Sequence, residues 1–210
     1  MQKQLAQVLE QAGVVPVLVI ENAKDALPLA QALVEGGLNV LEITLRTEAA
    51  LAAVEEIAKH LPDAHVGTGT VLTAADVQRS ADAGATFMVS PGATEALLDA
   101  ADNSTVPLLP GAANPSEVMR LLERGYRYQK FFPAEAAGGV PMLKSIGGPL
   151  PQVKFCPTGG VSPSNASSYL ALPNVVCVGG SWMAASKLVV EKNWAEITRL
   201  AKEASALKQG

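Results

Sequence analysis

Apolar residues along the chain fall into short runs separated by longer amphipathic stretches. Val14-Val15-Pro16-Val17-Leu18-Val19-Ile20 is a compact β-branched run, and a helical pattern follows from Lys24 to Glu35. Gly36-Gly37 ends that pattern, as glycine does at a helix C-terminus. The same cadence then repeats. Strands are predicted over Val40 to Arg46, His65 to Val71, Phe87 to Pro91, Pro107 to Ala112, Tyr128 to Pro133, Val153 to Thr158 and Val175 to Gly180. Helical spacing covers Glu48 to His60, Ala74 to Ala83, Thr94 to Ala101, Pro115 to Arg124, Val140 to Ile146, Pro163 to Leu170, and a C-terminal pair from Trp182 to Lys202. Asn114-Pro115-Ser116-Glu117 is a strong helix start, with asparagine as cap and proline at the first helical position.

Alternating strand and helix units imply parallel strands covered by helices. Eight such units in roughly 200 residues match a (β/α)8 TIM barrel at the compact end of its size range. The expected fold is therefore a single-domain α/β barrel over residues 1–210, with an extra N-terminal helix from Gln2 to Gln11. An open doubly wound sheet would carry a glycine-rich phosphate turn after its first strand. Here that turn is Glu21-Asn22-Ala23, while the glycine pairs come late.

Composition narrows the function. Hydrophobic residues make up 49% of the 210 residues and charged residues 17%, which excludes a disordered chain. Aromatics are only 4%, so Ala, Val, Leu and Ile must fill the core. With 20 acids against 16 bases the net charge is -4, leaving no basis for nucleic-acid binding or a polybasic membrane patch. No apolar stretch approaches the roughly 20 residues of a membrane span, and the start lacks a secretory h-region. The two cysteines, Cys156 and Cys177, point to a reduced, cytoplasmic setting and sit in strands as small buried hydrophobes. His60 and His65 flank a turn and read as surface residues, so neither metal nor other cofactor is expected.

In a barrel the chemistry sits at the C-terminal strand ends. Residues two apart share a face, so Glu42, Thr44 and Arg46 point inward together. Buried charges must pair or serve a site. A Glu–Arg bridge would be structural. A carboxylate for proton transfer with a guanidinium for an anionic substrate would be functional. Lys130 lies inside an apolar strand, with Phe132 on its face. Burial penalises an ammonium, and the neutral amine is the form that attacks a carbonyl, so Lys130 is a candidate Schiff-base nucleophile. It could instead reach solvent or pair with an acid such as Glu42. Lys154 falls early in its strand, toward the barrel floor, and reads as structural. Gly159-Gly160 and Gly179-Gly180 end the seventh and eighth strands, where barrels frequently bind phosphate. In Gly67-Thr68-Gly69-Thr70 the glycines face one way and the two threonines the other. Those hydroxyls either line the barrel or satisfy backbone groups.

Val40-Leu41-Glu42-Ile43-Thr44-Leu45-Arg46-Thr47, Val66-Gly67-Thr68-Gly69-Thr70-Val71, Lys130-Phe131-Phe132-Pro133-Ala134-Glu135, Phe155-Cys156-Pro157-Thr158-Gly159-Gly160 and Gly179-Gly180-Ser181-Trp182 together resemble one family. It is that of the 2-keto-3-deoxy-6-phosphogluconate (KDPG) and 4-hydroxy-2-oxoglutarate aldolases. The resemblance implies a class I lyase that forms its Schiff base with pyruvate through Lys130, with Glu42 shuttling protons. It implies that Arg46 and Thr70 hold the pyruvyl carboxylate and that Pro91 and Phe132 shape the pocket. Gly159, Gly160 and Ser181 would receive the phosphate of a phosphorylated keto acid. A homotrimer is implied by the resemblance alone. Three alternatives remain open: an aldolase for the galactonate-series substrate, a phosphosugar isomerase or epimerase, and a non-catalytic phosphometabolite-binding barrel. Only the aldolases need Glu42 and Lys130 together.

Overall fold

The computed structural model describes residues 2–207. Helix α1 (Gln2–Gln11) leads into β1 (Val14–Leu18), and strands and helices then alternate except at β5–β6 and at the C-terminal helix pair. They are α2 (Ala26–Glu35), β2 (Val40–Thr44), α3 (Ala50–His60), β3 (His65–Gly69), α4 (Ala74–Asp82), β4 (Phe87–Val89) and α5 (Glu95–Asp102). Next come β5 (Leu108–Leu109), β6 (Gly111–Ala112), α6 (Pro115–Glu123), β7 (Tyr128–Phe131), α7 (Gly139–Gly147), β8 (Lys154–Pro157), α8 (Ala166–Leu170) and β9 (Val178–Gly180). Helices α9 (Ser186–Val190) and α10 (Trp194–Ala206) close the described chain.

Every strand pairing is parallel. Six strands run in the order β5-β4-β3-β2-β1-β9, and three run β6-β7-β8. The fold is thus α/β, built on curled parallel sheet. The sequence predicts one strand over Pro107 to Ala112, but Pro110 divides it. Lacking an N–H, proline cannot donate to a ladder. Leu108 and Leu109 pair with β4, whereas Gly111 and Ala112 pair with β7. Single bridges, Phe155 to Val175 and Thr158 to Gly179, join the β8 side to the β9 side. Other boundaries are shorter than predicted: β2 stops at Thr44, β3 at Gly69, and α8 begins only at Ala166.

Strand alternation sorts the core into two clusters. Leu41, Ile43, Met88, Phe155 and Val178 pack outward against helix residues such as Leu29, Leu33, Val54 and Ile57. Their neighbours Val15, Val40, Phe87, Val89, Leu109, Cys156 and Cys177 form a second, interior cluster. Leu5, Val8 and Leu9 of α1 belong to that interior cluster, so α1 covers one end of it. Helical spacing puts these three residues on one side of α1, and burial of each contributes about 1.5–3 kcal/mol. Glu42 lies two residues beyond Val40, and Lys130 registers opposite Cys156. Both charged residues therefore share the interior side, toward the strand ends opposite α1. Outer turns are tied by caps: Asn114 Oδ1 accepts from Glu117 N–H at 3.1 Å, as its position before Pro115 predicts.

Candidate active site

A cavity of about 510 Å³ opens at the C-terminal ends of the strands. Its lining includes every site residue read from the sequence: Lys130, Glu42, Arg46, Thr70, Pro91, Phe132, Gly159, Gly160 and Ser181. At its centre Lys130 Nζ lies 3.1 Å from Glu42 Oε1, with the two side chains only 7% and 4% exposed. The choice left open by the sequence is resolved in favour of this pairing: Lys130 does not reach out to bulk water, and Glu42 bridges to it rather than to Arg46. Nζ also sits 5.4 Å from the centre of the Phe132 ring. Phe132 thus walls the amine on its own face.

Glycine at position 69 makes room for the carboxylate. A Cβ there would stand 2.2 Å from Glu42 Oε1, well inside contact distance. The alternation within Gly67-Thr68-Gly69-Thr70 holds for the strand but fails at its end. Both glycines face the interior, where Phe87 and Glu42 fill the space. Thr68 faces outward, its hydroxyl donating to Ser80 Oγ on α4 at 2.8 Å, so it does not line the cavity. Thr70 lies past the strand with φ +61°, and this left-handed residue reaches the cavity that strict alternation would deny it. The turn is held by Asp76, which accepts from the N–H groups of Leu72 and Thr73, each at 3.0 Å. Burial pushes the Asp76 carboxyl up. Hydrogen bonds from Arg79, Leu72 and Thr73 outweigh it and hold the group below the usual carboxylate range.

Arg46, predicted to end its strand, instead lies in a turn beyond β2, yet lines the cavity. Thr44 lines it too, while its hydroxyl donates to Leu18 O at 2.9 Å. The glycine turn after β8 is stitched to the segment after β7. Ala134 N–H donates to Thr158 O at 2.8 Å and Glu135 N–H to Gly159 O at 3.0 Å. Gly159 and Gly160 have φ of +97° and +79°, conformations open to glycine at little strain. Tyr169, fully buried, donates its hydroxyl to Glu135 Oε1 behind this turn. Burial and that bond push the Tyr169 phenol well above its usual range.

Sequence reasoning missed part of the lining. Val17, Val19, Thr158, Val161, Ala184, Ala185 and Ser186 also face the cavity. Val17 and Thr158 could have been found by parity, each lying two residues beyond an interior residue, Val15 and Cys156. The run after Ser181 carries no such signal. Lys154 lies elsewhere, donating to Pro173 O at 2.7 Å. His60 Nδ1 contacts Glu56, and Cys156 and Cys177 are buried cysteines. Among the described residues no group of three or more His, Cys, Asp or Glu could hold a metal ion. Nor is any described helix long and apolar enough to cross a membrane.

A buried amine against a carboxylate, open to a cavity at the strand ends, defines a class of site. Moving the bridging proton from Nζ to Oε1 leaves an uncharged amine beside an uncharged acid, a nucleophile and a proton donor in one step. Enzymes that condense a lysine with a carbonyl substrate are built this way. The family model for KDPG and KHG aldolases matches residues 5–200, and the chain belongs to that family. It is 53% identical to a 2-dehydro-3-deoxy-phosphogluconate aldolase of Pseudoalteromonas atlantica, over 95% of this chain and 93% of that one. It is 50% identical to the KHG/KDPG aldolase of Escherichia coli, over 94% and 92%. Among solved structures, a KDPG aldolase from Legionella pneumophila superposes with a TM-score of 0.93 at 50% identity, covering 94% of this chain and 96% of that one. That protein was captured with pyruvate as a covalent carbinolamine intermediate.

Proposed function

We propose that this chain is a class I aldolase that reversibly cleaves KDPG to pyruvate and glyceraldehyde 3-phosphate, in the Entner–Doudoroff pathway. Cleavage of 4-hydroxy-2-oxoglutarate to pyruvate and glyoxylate is a second activity of the same site. The observation that carries the reading is the buried Lys130–Glu42 contact at 3.1 Å. Neutral Lys130 Nζ attacks C2 of the keto acid, and Glu42 protonates the oxygen that becomes the carbinolamine hydroxyl. The nitrogen sheds a proton to the Glu42 carboxylate, and Glu42 returns it to that hydroxyl, which leaves as water and gives an iminium. The Glu42 carboxylate takes the C4 hydroxyl proton, the C3–C4 bond breaks, and its electron pair flows into the iminium to give an enamine and the free aldehyde. Glu42 then delivers a proton to C3, and water hydrolyses the pyruvyl iminium to restore the amine. Every step is acid–base or nucleophilic chemistry of this chain's own residues, and no cofactor is required.

Substrate is oriented from both ends. Arg46 and Thr70 hold the carboxylate, Arg46 by the bidentate geometry available to a guanidinium. Pro91 and Phe132 shape the pyruvyl pocket. Gly159, Gly160 and Ser181 receive the phosphate through neutral donors. For the fold, we propose one domain spanning residues 1–210 and a closed eight-stave (β/α)8 barrel, with α1 as an additional N-terminal helix outside the repeat. In support, β5 and β6 are separated only by Pro110 and pair with β4 and β7, and single parallel bridges, Phe155 to Val175 and Thr158 to Gly179, link the β8 side to the β9 side. A homotrimer in the cytoplasm is the assembly we expect, tested by light scattering of the purified chain.

The function is tested by adding pyruvate and borohydride and mapping the reduced adduct by peptide mass spectrometry. Modification of Lys130 is expected. Absence of any adduct, with turnover of a phosphosugar isomerase substrate, overturns the aldolase reading.

A further inference from the structure

Arg46 reaches the cavity from a turn, so the ladder of β2 does not fix its direction. Among the described residues no salt bridge engages its guanidinium. What fixes the turn is its stitching on both sides. Toward β3, Leu45 N–H donates to Gly69 O at 2.8 Å. Toward the segment leaving β1, two threonine hydroxyls replace the missing ladder. Thr44 Oγ1 donates to Leu18 O at 2.9 Å, and Thr47 Oγ1 donates to Ile20 O at 2.6 Å. The two acceptors are two residues apart, with Val19 of the cavity lining between them. Thr44 itself lines the cavity, whereas Thr47 does not.

We infer that Thr47 is a positioning residue that aims Arg46 at the carboxylate of an α-keto acid, acting through its hydroxyl bond to Ile20 O. The inference rests on the aldolase reading above. An arginine side chain has many rotamers, and two-point recognition of a carboxylate demands a narrow approach. The backbone on either side of Arg46 therefore decides how much of that recognition is realised. Thr44 pins the turn at its start and Thr47 pins it just after Arg46. Without the second pin the turn can swing, and small misplacements of an orienting group are felt strongly in reaction rate.

The test compares Thr47→Val, which keeps shape but not the donor, with Thr47→Ser, which keeps the donor. The probes are pyruvate and methyl pyruvate, which share the ketone but differ in the charged carboxylate. Each is trapped on the protein with cyanoborohydride, and the second-order rate of adduct formation is read by intact-mass spectrometry. Loss of one neutral hydrogen bond predicts a fall of about fivefold for pyruvate in Thr47→Val. Methyl pyruvate should change by less than about twofold, and Thr47→Ser should restore the pyruvate rate. A purely structural role would slow both probes together. Equal losses for the two, or no loss for pyruvate while the wild type traps it, overturn the assignment alone. A wild-type chain that traps neither probe overturns the aldolase reading and the assignment with it.

Discussion

Replacing Glu42 by Gln probes the central contact with the smallest change of shape. Glutamine can still place an oxygen near 3.1 Å from Lys130 Nζ, but it carries no charge and cannot accept a proton. The energetic consequence has two parts. Removing one partner of a buried ion pair destabilises by about 3–5 kcal/mol, because the remaining charge is left uncompensated. The retained hydrogen bond offsets part of this, about 1.5–3 kcal/mol for a bond to a charged group. A net loss of roughly 1–3 kcal/mol is expected, readable as a lower midpoint in urea unfolding with an unchanged slope. The catalytic consequence is larger. A positioned acid or base contributes about 10²–10⁴-fold, so cleavage of KDPG should fall by that factor. Lys130 remains present, so borohydride should still trap pyruvate, though slowly. Exchange of the pyruvate methyl protons with deuterated solvent isolates the proton step, and NMR should find it slowed at least about hundredfold. Exchange within threefold of the wild-type rate would remove Glu42 from the proton-transfer role.

Other consequences follow from the same geometry. Lys130→Met should abolish cleavage and destabilise by about 3–5 kcal/mol, while Lys130→Met with Glu42→Leu should unfold at higher denaturant than Lys130→Met alone. Additive losses would show that the buried pair is not energetically coupled. Gly69→Ala should displace the Glu42 carboxylate, since its Cβ would lie 2.2 Å from Oε1. KDPG cleavage should then fall more than tenfold while the far-ultraviolet circular dichroism is unchanged, and full activity would deny the close approach its importance. The folded Asp76 carboxyl titrates below its ordinary value of 3.8. The stability it adds is therefore complete above that value and lost as pH falls through the lower folded one. Stability of Asp76→Asn and wild type should converge at low pH, part as pH rises toward 3.8, and stay separated by a constant margin above it, wild type being the more stable. Leu5→Ala, in the side of α1 that meets the interior cluster, should destabilise by about 2–5 kcal/mol in urea unfolding.

What the sequence made legible was whatever a two-residue period or a local punctuation signal can carry. Glu42 and Lys130 were found because each interrupts an apolar strand on the interior parity, and burial of a charge demands a reason. Gly159-Gly160 and Gly179-Gly180 were found because paired glycines at strand ends mark turns. The errors gather where the strands stop. The parity of β3 grouped Thr68 with Thr70, but the left-handed turn at Thr70 breaks the period, and only Thr70 reaches the cavity. Pro110 was visible, yet its effect depends on which neighbour each half can pair with, and that is a property of the assembled sheet. The lining from Ala184 to Ser186 has no signature, since small residues in a loop resemble any other loop. The residues that carry charge announced themselves because a folded interior tolerates them only in partnership. The residues that aim them, Thr47 on Arg46 and Gly69 beside Glu42, did not, because a hydroxyl or a missing Cβ acquires meaning only from the atom it faces. Chemistry in this chain is therefore easier to read from one dimension than precision, and substitutions at the silent supporting positions are the sharper test of the site.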